Sequence, residues 1–271
     1  MREATKMKRT SCMDSFRYML AVAVALFVLA ALPVSAAQTL TCAVTPDYIP
    51  ITFSYHGAQL SITGQSAPTD DLIVSIISKS TDTALKYQEK VGGLVWMKKG
   101  TLEFKDAPGV YLLHSTADLN RILAADERNQ HLLGYEALRG HILIEDSKGN
   151  PATGNWFDEY LKFKKNEKVY DIQEGTVLRQ HGVEGNTYQA KVAWPYQAPP
   201  GVYTVEVLAV RDGKVVDRAS SNFEVKSVGI TAALSKMAFE QAGLYGIMAV
   251  VIALLAGFAV GAIFKKGGGS H

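Results

Sequence analysis

Gly201-Val202-Tyr203-Thr204-Val205-Glu206-Val207-Leu208-Ala209-Val210-Arg211-Asp212-Gly213-Lys214-Val215-Val216 is the stretch that decides how the chain is read. Large apolar residues alternate from Tyr203 to Val210. Strand side chains point to opposite faces in turn, so Tyr203, Val205, Val207 and Ala209 share one face, and Thr204, Glu206, Leu208 and Val210 the other. The second face is only partly polar, which predicts a strand covered on both sides. Asp212-Gly213 supplies two residues that accept positive φ, the chemistry of a tight hairpin turn, and Lys214–Val225 is the returning strand. The C-terminal half therefore closes on a β-hairpin.

Working outward, short strands with turn signals between them run from Leu40 to His114: Ile51–Tyr55, Gln59–Thr63, Leu72–Ile77, Leu94–Met97, Thr101–Phe104 and Val110–His114. Leu72–Ile77 is continuously apolar, as expected of a strand central in a sheet. Residues 115–182 change character. Ser115 or Thr116 is placed to cap a helix through Leu119, Ile122 and Leu123, with Asp118 near its start. A second helix begins near Asn155-Trp156-Phe157, with Phe157, Tyr160 and Leu161 on one side and lysines on the other. His141–Glu145 reads as a strand between them. The fold class predicted is mainly β, a sandwich over residues 38–228 with a mixed helical insertion at 115–182. Gly-Val-Tyr entering the final hairpin resembles the closing strands of immunoglobulin-like sandwiches. Ala107–Tyr111 echoes Pro199–Tyr203, which leaves open two degenerate repeats or one elaborated sandwich; we take the single sandwich.

Two apolar segments flank this body. Residues 1–37 read as an export signal: Lys6, Lys8, Arg9 and Arg17, then the apolar run Met19–Leu32, then Pro33-Val34-Ser35-Ala36-Ala37 with cleavage after Ala36 or Ala37. Leu244–Phe264 is free of charge and long enough to cross a bilayer as a helix. Lys265 and Lys266 follow at once, which favours leaving residues 265–271 in the cytoplasm and residues 38–228 on the periplasmic side of the inner membrane. Residues 229–243 form a juxtamembrane amphipathic stretch, with Ile230, Leu234 and Met237 at helical spacing, expected to run on into the membrane helix. Within the span Ala253, Gly257 and Gly261 recur every fourth residue, the spacing of a helix-packing seam.

The chain carries a formal charge of +2, of which residues 1–37 hold +3, so the exported part is close to neutral and nucleic acid is not expected as a partner. Cys42 is the one cysteine after residue 37, which excludes an intramolecular disulfide there and reads as a buried thiol in a first strand. His56, His114, His131, His141, His181 and His271 show no metal-pair spacing, and there is neither a Gly-x-Ser-x-Gly elbow nor a phosphate-binding glycine loop. No metal, cofactor or catalysis is expected. The adjacent acids Asp70-Asp71, Glu145-Asp146 and Asp158-Glu159 diverge in direction and read as turn or helix-start residues, Trp96, Trp156 and Trp194 as core, and Lys162, Lys164, Lys165 and Lys168 as a solvated helix face. A pocket in the insertion lined by Lys162, Lys164 or His141 would instead point to capture of a small solute or anion.

The segments ITFSYHGAQLSITG, KVGGLVWMKKGTLEFKDAPGVYLLHST and PPGVYTVEVLAVRDGKVV, with the terminal span, resemble a family of bacterial transmembrane proteins without an assigned activity, described chiefly from alphaproteobacteria. Residues 125–185 match it poorly. The resemblance implies an exported β domain on a C-terminal anchor and, because members are often encoded near sulfite-exporter-type permeases, an accessory role beside an integral membrane transporter. It brings no binding residues with it.

Overall fold

The hairpin forms as read. In the computed structural model β12 (Gly201–Arg211) pairs antiparallel with β13 (Lys214–Ser227), and Asp212 and Gly213 both take positive φ, 53° and 78°, as the tight turn requires. The structure describes residues 40–91, 94–182 and 185–265. The leader read at 1–37, Gly92-Gly93, and the tail from residue 266 lie outside the described residues.

The hairpin belongs to a six-stranded sheet, in the order β2 (Tyr48–Ile51), β13, β12, β4 (Asp71–Ile77), β7 (Tyr111–Ser115), β9 (Tyr170–Gln173). The β2–β13 and β7–β9 pairs are parallel and the others antiparallel. β4 is central, as its apolar run demands, and Leu72–Ile76 are all buried. A four-stranded sheet has the order β1 (Ala43–Thr45), β3 (Ala58–Gln65), β11 (Gly185–Trp194), β10 (Leu178–Gly182). The two sheets share one apolar cluster: Leu60, Ile62, Ala190 and Val192 from the smaller sheet, Val74, Val205, Val207 and Phe223 from the larger. Each fully buried valine there contributes about 1.5–3 kcal/mol relative to exposure.

The opposite face of the six-stranded sheet is covered too. Ile73, Leu208 and Val210 join a second cluster with Leu119, Leu138, Phe157 and Tyr160. That is why the second face of β12 reads as half apolar. Its cover is a set of helices, α1 (Leu119–Ile122), α2 (Ala125–Gln130), α3 (Tyr135–His141) and α4 (Trp156–Asn166), together with a three-stranded sheet of β5 (Ser80–Val91), β6 (Val95–Pro108) and β8 (Leu143–Asp146).

Several expectations need correction. Ile51–Tyr55 is not a strand: β2 ends at Ile51, the chain turns with Tyr55 N–H donating to Thr52 O, and Phe53 is exposed. The chain has to leave the larger sheet here to enter β3. Val95–Met97 and Thr101–Phe104 are parts of one long strand, β6, with Leu94 in the turn before it, and lie outside the two main sheets. Its partner β5 is too polar for its sequence to have read as a strand. The cap of α1 is Asp118, whose carboxylate accepts from the N–H groups of Asn120 and Arg121, rather than Ser115 or Thr116. The insertion read at 115–182 also contains β9 and β10, which belong to the two main sheets. The echoed Gly-Val-Tyr segments open β7 and β12, the two strands flanking β4 in one sheet, with Tyr111 and Tyr203 in different clusters.

After β13 come α5 (Ile230–Glu240) and α6 (Ala242–Lys265). They are not one helix: Gln241, at φ −135° and ψ 51°, breaks them. Within α6, Ala242–Ala262 has a mean hydropathy of 2.4 and is long and apolar enough to cross a membrane; none of that window is buried by the chain.

Candidate functional site

A cavity of about 760 Å³ opens where the edge of the six-stranded sheet meets the helical cover and the end of β11. Its floor comes from register. In the parallel β7–β9 pair Leu112 is opposite Asp171 and His114 opposite Gln173, which puts these four on the face that turns toward the smaller sheet. One wall is Trp194-Pro195-Tyr196 at the end of β11. The chain before β3 lies against it so closely that a Cβ on Gly57 would stand 2.9 Å from Trp194 O, and Gly57 has φ 111°, so glycine is required twice over. The opposite wall is Tyr135 at the start of α3 and the end of α4, with Lys165 and Lys168.

Hydrogen bonding fixes the two histidines. Thr176 Oγ1 donates its one proton to Gln173 O at 3.0 Å, so it accepts from His114 Nδ1–H at 2.9 Å. His56 Nδ1 likewise donates to Ser54 O at 2.6 Å, since a carbonyl only accepts. In both rings Nε2 has no hydrogen-bond partner among the described residues. Burial holds the His114 pKa below the usual 6.5, and the Asp171 carboxylate opposes that shift. Asp171 is engaged by Gln173 Nε2–H at 2.7 Å. Burial, with Asp171 adding to it, pushes the Tyr135 phenol upward. Lys165 Nζ sits 4.1 Å from the centre of the Tyr135 ring. Trp194 Nε1–H is buried without a hydrogen-bond partner among the described residues.

Lys168 is held unusually. Val169 N–H donates to Lys164 O and Lys168 N–H to Lys165 O, the double bond of a Schellman ending to α4. Lys168 occupies the left-handed position of that motif, φ 59°, where glycine is the normal residue.

A second polar cluster ties the sheets together. Oδ1 of the buried Asp70 carboxylate accepts from Arg211 Nε–H at 2.7 Å and lies 2.7 Å from Arg211 Nη2. Arg179 of β10 donates to Asp70 O at 2.7 Å and lies 3.5 Å from the Asp71 carboxylate, which also accepts from Thr116 Oγ1. Asp70-Asp71 is thus more than a turn: it joins β10 to β4 and β12.

The basic run divides. Lys162 is exposed, as a solvated face requires, and Lys164 is half-buried over the Tyr160 ring, 3.9 Å from Glu167, with burial lowering its pKa. Lys165 and Lys168 line the cavity, so the pocket at the insertion uses these and His114 in place of Lys162, Lys164 and His141. Trp194 is core, as read, and also cavity wall; Trp156 is half-buried against Tyr87. Asp158 and Glu159 lie in the first turn of α4. Cys42 is a free, half-buried thiol just before β1, its pKa raised by burial. Nothing local marks His114, Tyr135 or Asp171 in the sequence; the legible hint is Lys168, a lysine where a helix end calls for glycine. Among the described residues no three His, Cys, Asp or Glu gather to hold a metal. On α6, Ala253, Gly257 and Gly261 line a shallow groove with Leu254, Phe258 and Ala262.

Among curated proteins, none matches the chain. A family model described as "Putative transmembrane protein (Alph_Pro_TM)" matches residues 39–266, a match that runs through 125–185 as well. With one apolar helix of spanning length after the β-rich body, and a match over most of its length, the chain is a membrane-anchored protein that belongs to the Alph_Pro_TM family.

Proposed function

We propose that this chain is a non-catalytic accessory protein, exported by its leader and held with its β-rich body on the outer face of the cytoplasmic membrane, where it docks to an integral membrane partner, a transporter. The groove on α6 carries this reading. A helix whose membrane window is wholly unburied, with Ala253, Gly257 and Gly261 on one face, favours close approach of another helix backbone. The basic end of the span at Lys265 and Lys266 supports a cytoplasmic C-terminus. The body is read as an immunoglobulin-like module. Support comes from the strand order, from the parallel β2–β13 edge, and from Tyr203, whose hydroxyl donates to Pro199 O at 2.7 Å like a tyrosine corner.

A Cβ at Gly257 or Gly261 meets nothing within 4 Å in this chain, so an effect of enlarging them reports on another molecule. The test is a pull-down from mild detergent with mass spectrometry, wild type against Gly257→Leu/Gly261→Leu. A multi-spanning permease recovered with wild type and lost with the double variant is the expected result. Recovery of the protein alone in both samples sinks the docking reading.

The cavity favours a second reading, in which the exported body captures a small solute. Its volume falls within the range of ligand sites, about 300–1,000 Å³, and it combines aromatic walls with a few polar groups.

A further inference from the structure

We propose that the cavity beside β7 and β9 binds a small organic anion from solution, with Lys165 and Lys168 facing its charged group and the aromatic walls holding its body. The inference rests on the solute-capture reading and gives it a ligand class.

Three observations carry it. First, the lining is electrostatically lopsided. Lys165 and Lys168 bring two positive charges, while the one carboxylate, Asp171, already accepts a hydrogen bond from Gln173. Neither lysine has an acidic partner among the described residues, whereas Lys164 in the same helix is 3.9 Å from Glu167. Lys165 instead lies over the Tyr135 ring, which keeps its ammonium at the wall with donors to spare.

Second, Lys168 sits where the backbone disfavours it. A left-handed residue costs a side-chain-bearing amino acid about 1 kcal/mol relative to glycine. The chain ends α4 with a Schellman motif yet places lysine at its glycine position, and that lysine lines the cavity. A cation kept at a strained position at a cavity is the pattern of a binding group.

Third, the cavity is far larger than a bare oxyanion needs and offers Tyr135, Trp194 and Tyr196 as flat surfaces. An anion with an apolar or aromatic body uses both features.

The experiment uses the full chain in phosphatidylcholine nanodiscs, titrated calorimetrically with benzoate and with its neutral counterpart benzamide. Benzoate is expected to bind at least about tenfold more tightly than benzamide, and more weakly as salt rises from 50 to 300 mM. Lys168→Gly is the informative variant because it relieves the backbone: its melting temperature should equal or exceed that of wild type while benzoate affinity falls about tenfold or more. Equal binding of benzoate and benzamide would overturn the anion inference and leave solute capture standing. Binding of neither would sink both. Undiminished benzoate binding by Lys168→Gly would remove Lys168 from the site and overturn the inference. Loss of both benzoate and benzamide binding when phosphatidylglycerol replaces phosphatidylcholine would assign the cavity to a lipid headgroup in place of a free anion, because surface repulsion alone spares the neutral probe.

Discussion

Asp70 and Asp171 are both acids set beside basic residues where parts of the molecule meet, yet their surroundings differ in kind. Asp70 is buried and its Oδ1 is held by Nε and Nη2 of one guanidinium, while Arg179 secures the adjoining backbone and Asp71. Two nitrogens of one guanidinium converge on a single carboxylate oxygen, Asp70 Oδ1, so acid and base in this cluster engage each other directly. Around Asp171 the cations are lysines that point-charge a cavity without an acid of their own, and two histidines keep their Nε2 atoms unengaged. The first cluster pairs its acids with arginines and so holds sheets together; the second leaves its lysines without an acid. The two clusters differ in what they leave unpaired, not in how many polar groups they hold.

The sharpest way to break the comparison is Arg211→Met. It strands the buried Asp70 carboxylate, and because Arg211 is itself half-exposed the expected loss is about 2–3 kcal/mol, below the usual range for a fully buried pair. Urea unfolding of the detergent-solubilised chain measures it, and a loss under about 0.5 kcal/mol would show that the cluster is not a structural clasp.

Lys168→Gly should act oppositely at the other cluster, raising stability by up to about 1 kcal/mol in the same assay. A clear loss of stability would mean that the lysine packs as a structural cap and would blur the contrast between the two regions.

The smallest expected effect is a pH slope. The folded pKa of His114 lies below 6.5, so the unfolded chain binds the proton more readily. The stability tied to its neutral form is therefore complete above pH 6.5 and drains away as pH falls toward the folded value. His114→Asn keeps a donor toward Thr176 but cannot titrate. Relative to wild type it should be slightly less stable at pH 7.5 and should close that gap at pH 5. Parallel stability curves for the two proteins across this range would exclude His114 as a buried neutral ring.

Reading the two clusters from sequence fails for the same reason in each. Asp70-Asp71 looked like a turn because its partners, Arg179 and Arg211, are more than 100 positions away. Lys165 and Lys168 looked like part of a solvated face because helical periodicity shows which residues share a side but not what approaches the helix end. The β5–β6 arm was hidden differently. The strand Ser80–Val91 is built largely of polar residues, and β-propensity reflects packing that only the pairing partner supplies.

What the sequence determined by itself is what short-range chemistry controls. Asp212-Gly213 between alternating strands set the closing hairpin, the apolar run Leu72–Ile77 set a central strand, and an uncharged span set α6. Each depends on neighbours within a turn or two, or on the composition of one segment. Only the tertiary structure decided the cavity, because His56, His114, Tyr135, the Lys168–Asp171 stretch and Trp194 come from five separate places in the chain. Their meeting follows from the parallel β7–β9 register and from the close approach that Gly57 permits at the end of β11. Sheet register and backbone contact between distant strands depend on which surfaces the whole chain buries, and no local pattern encodes that choice.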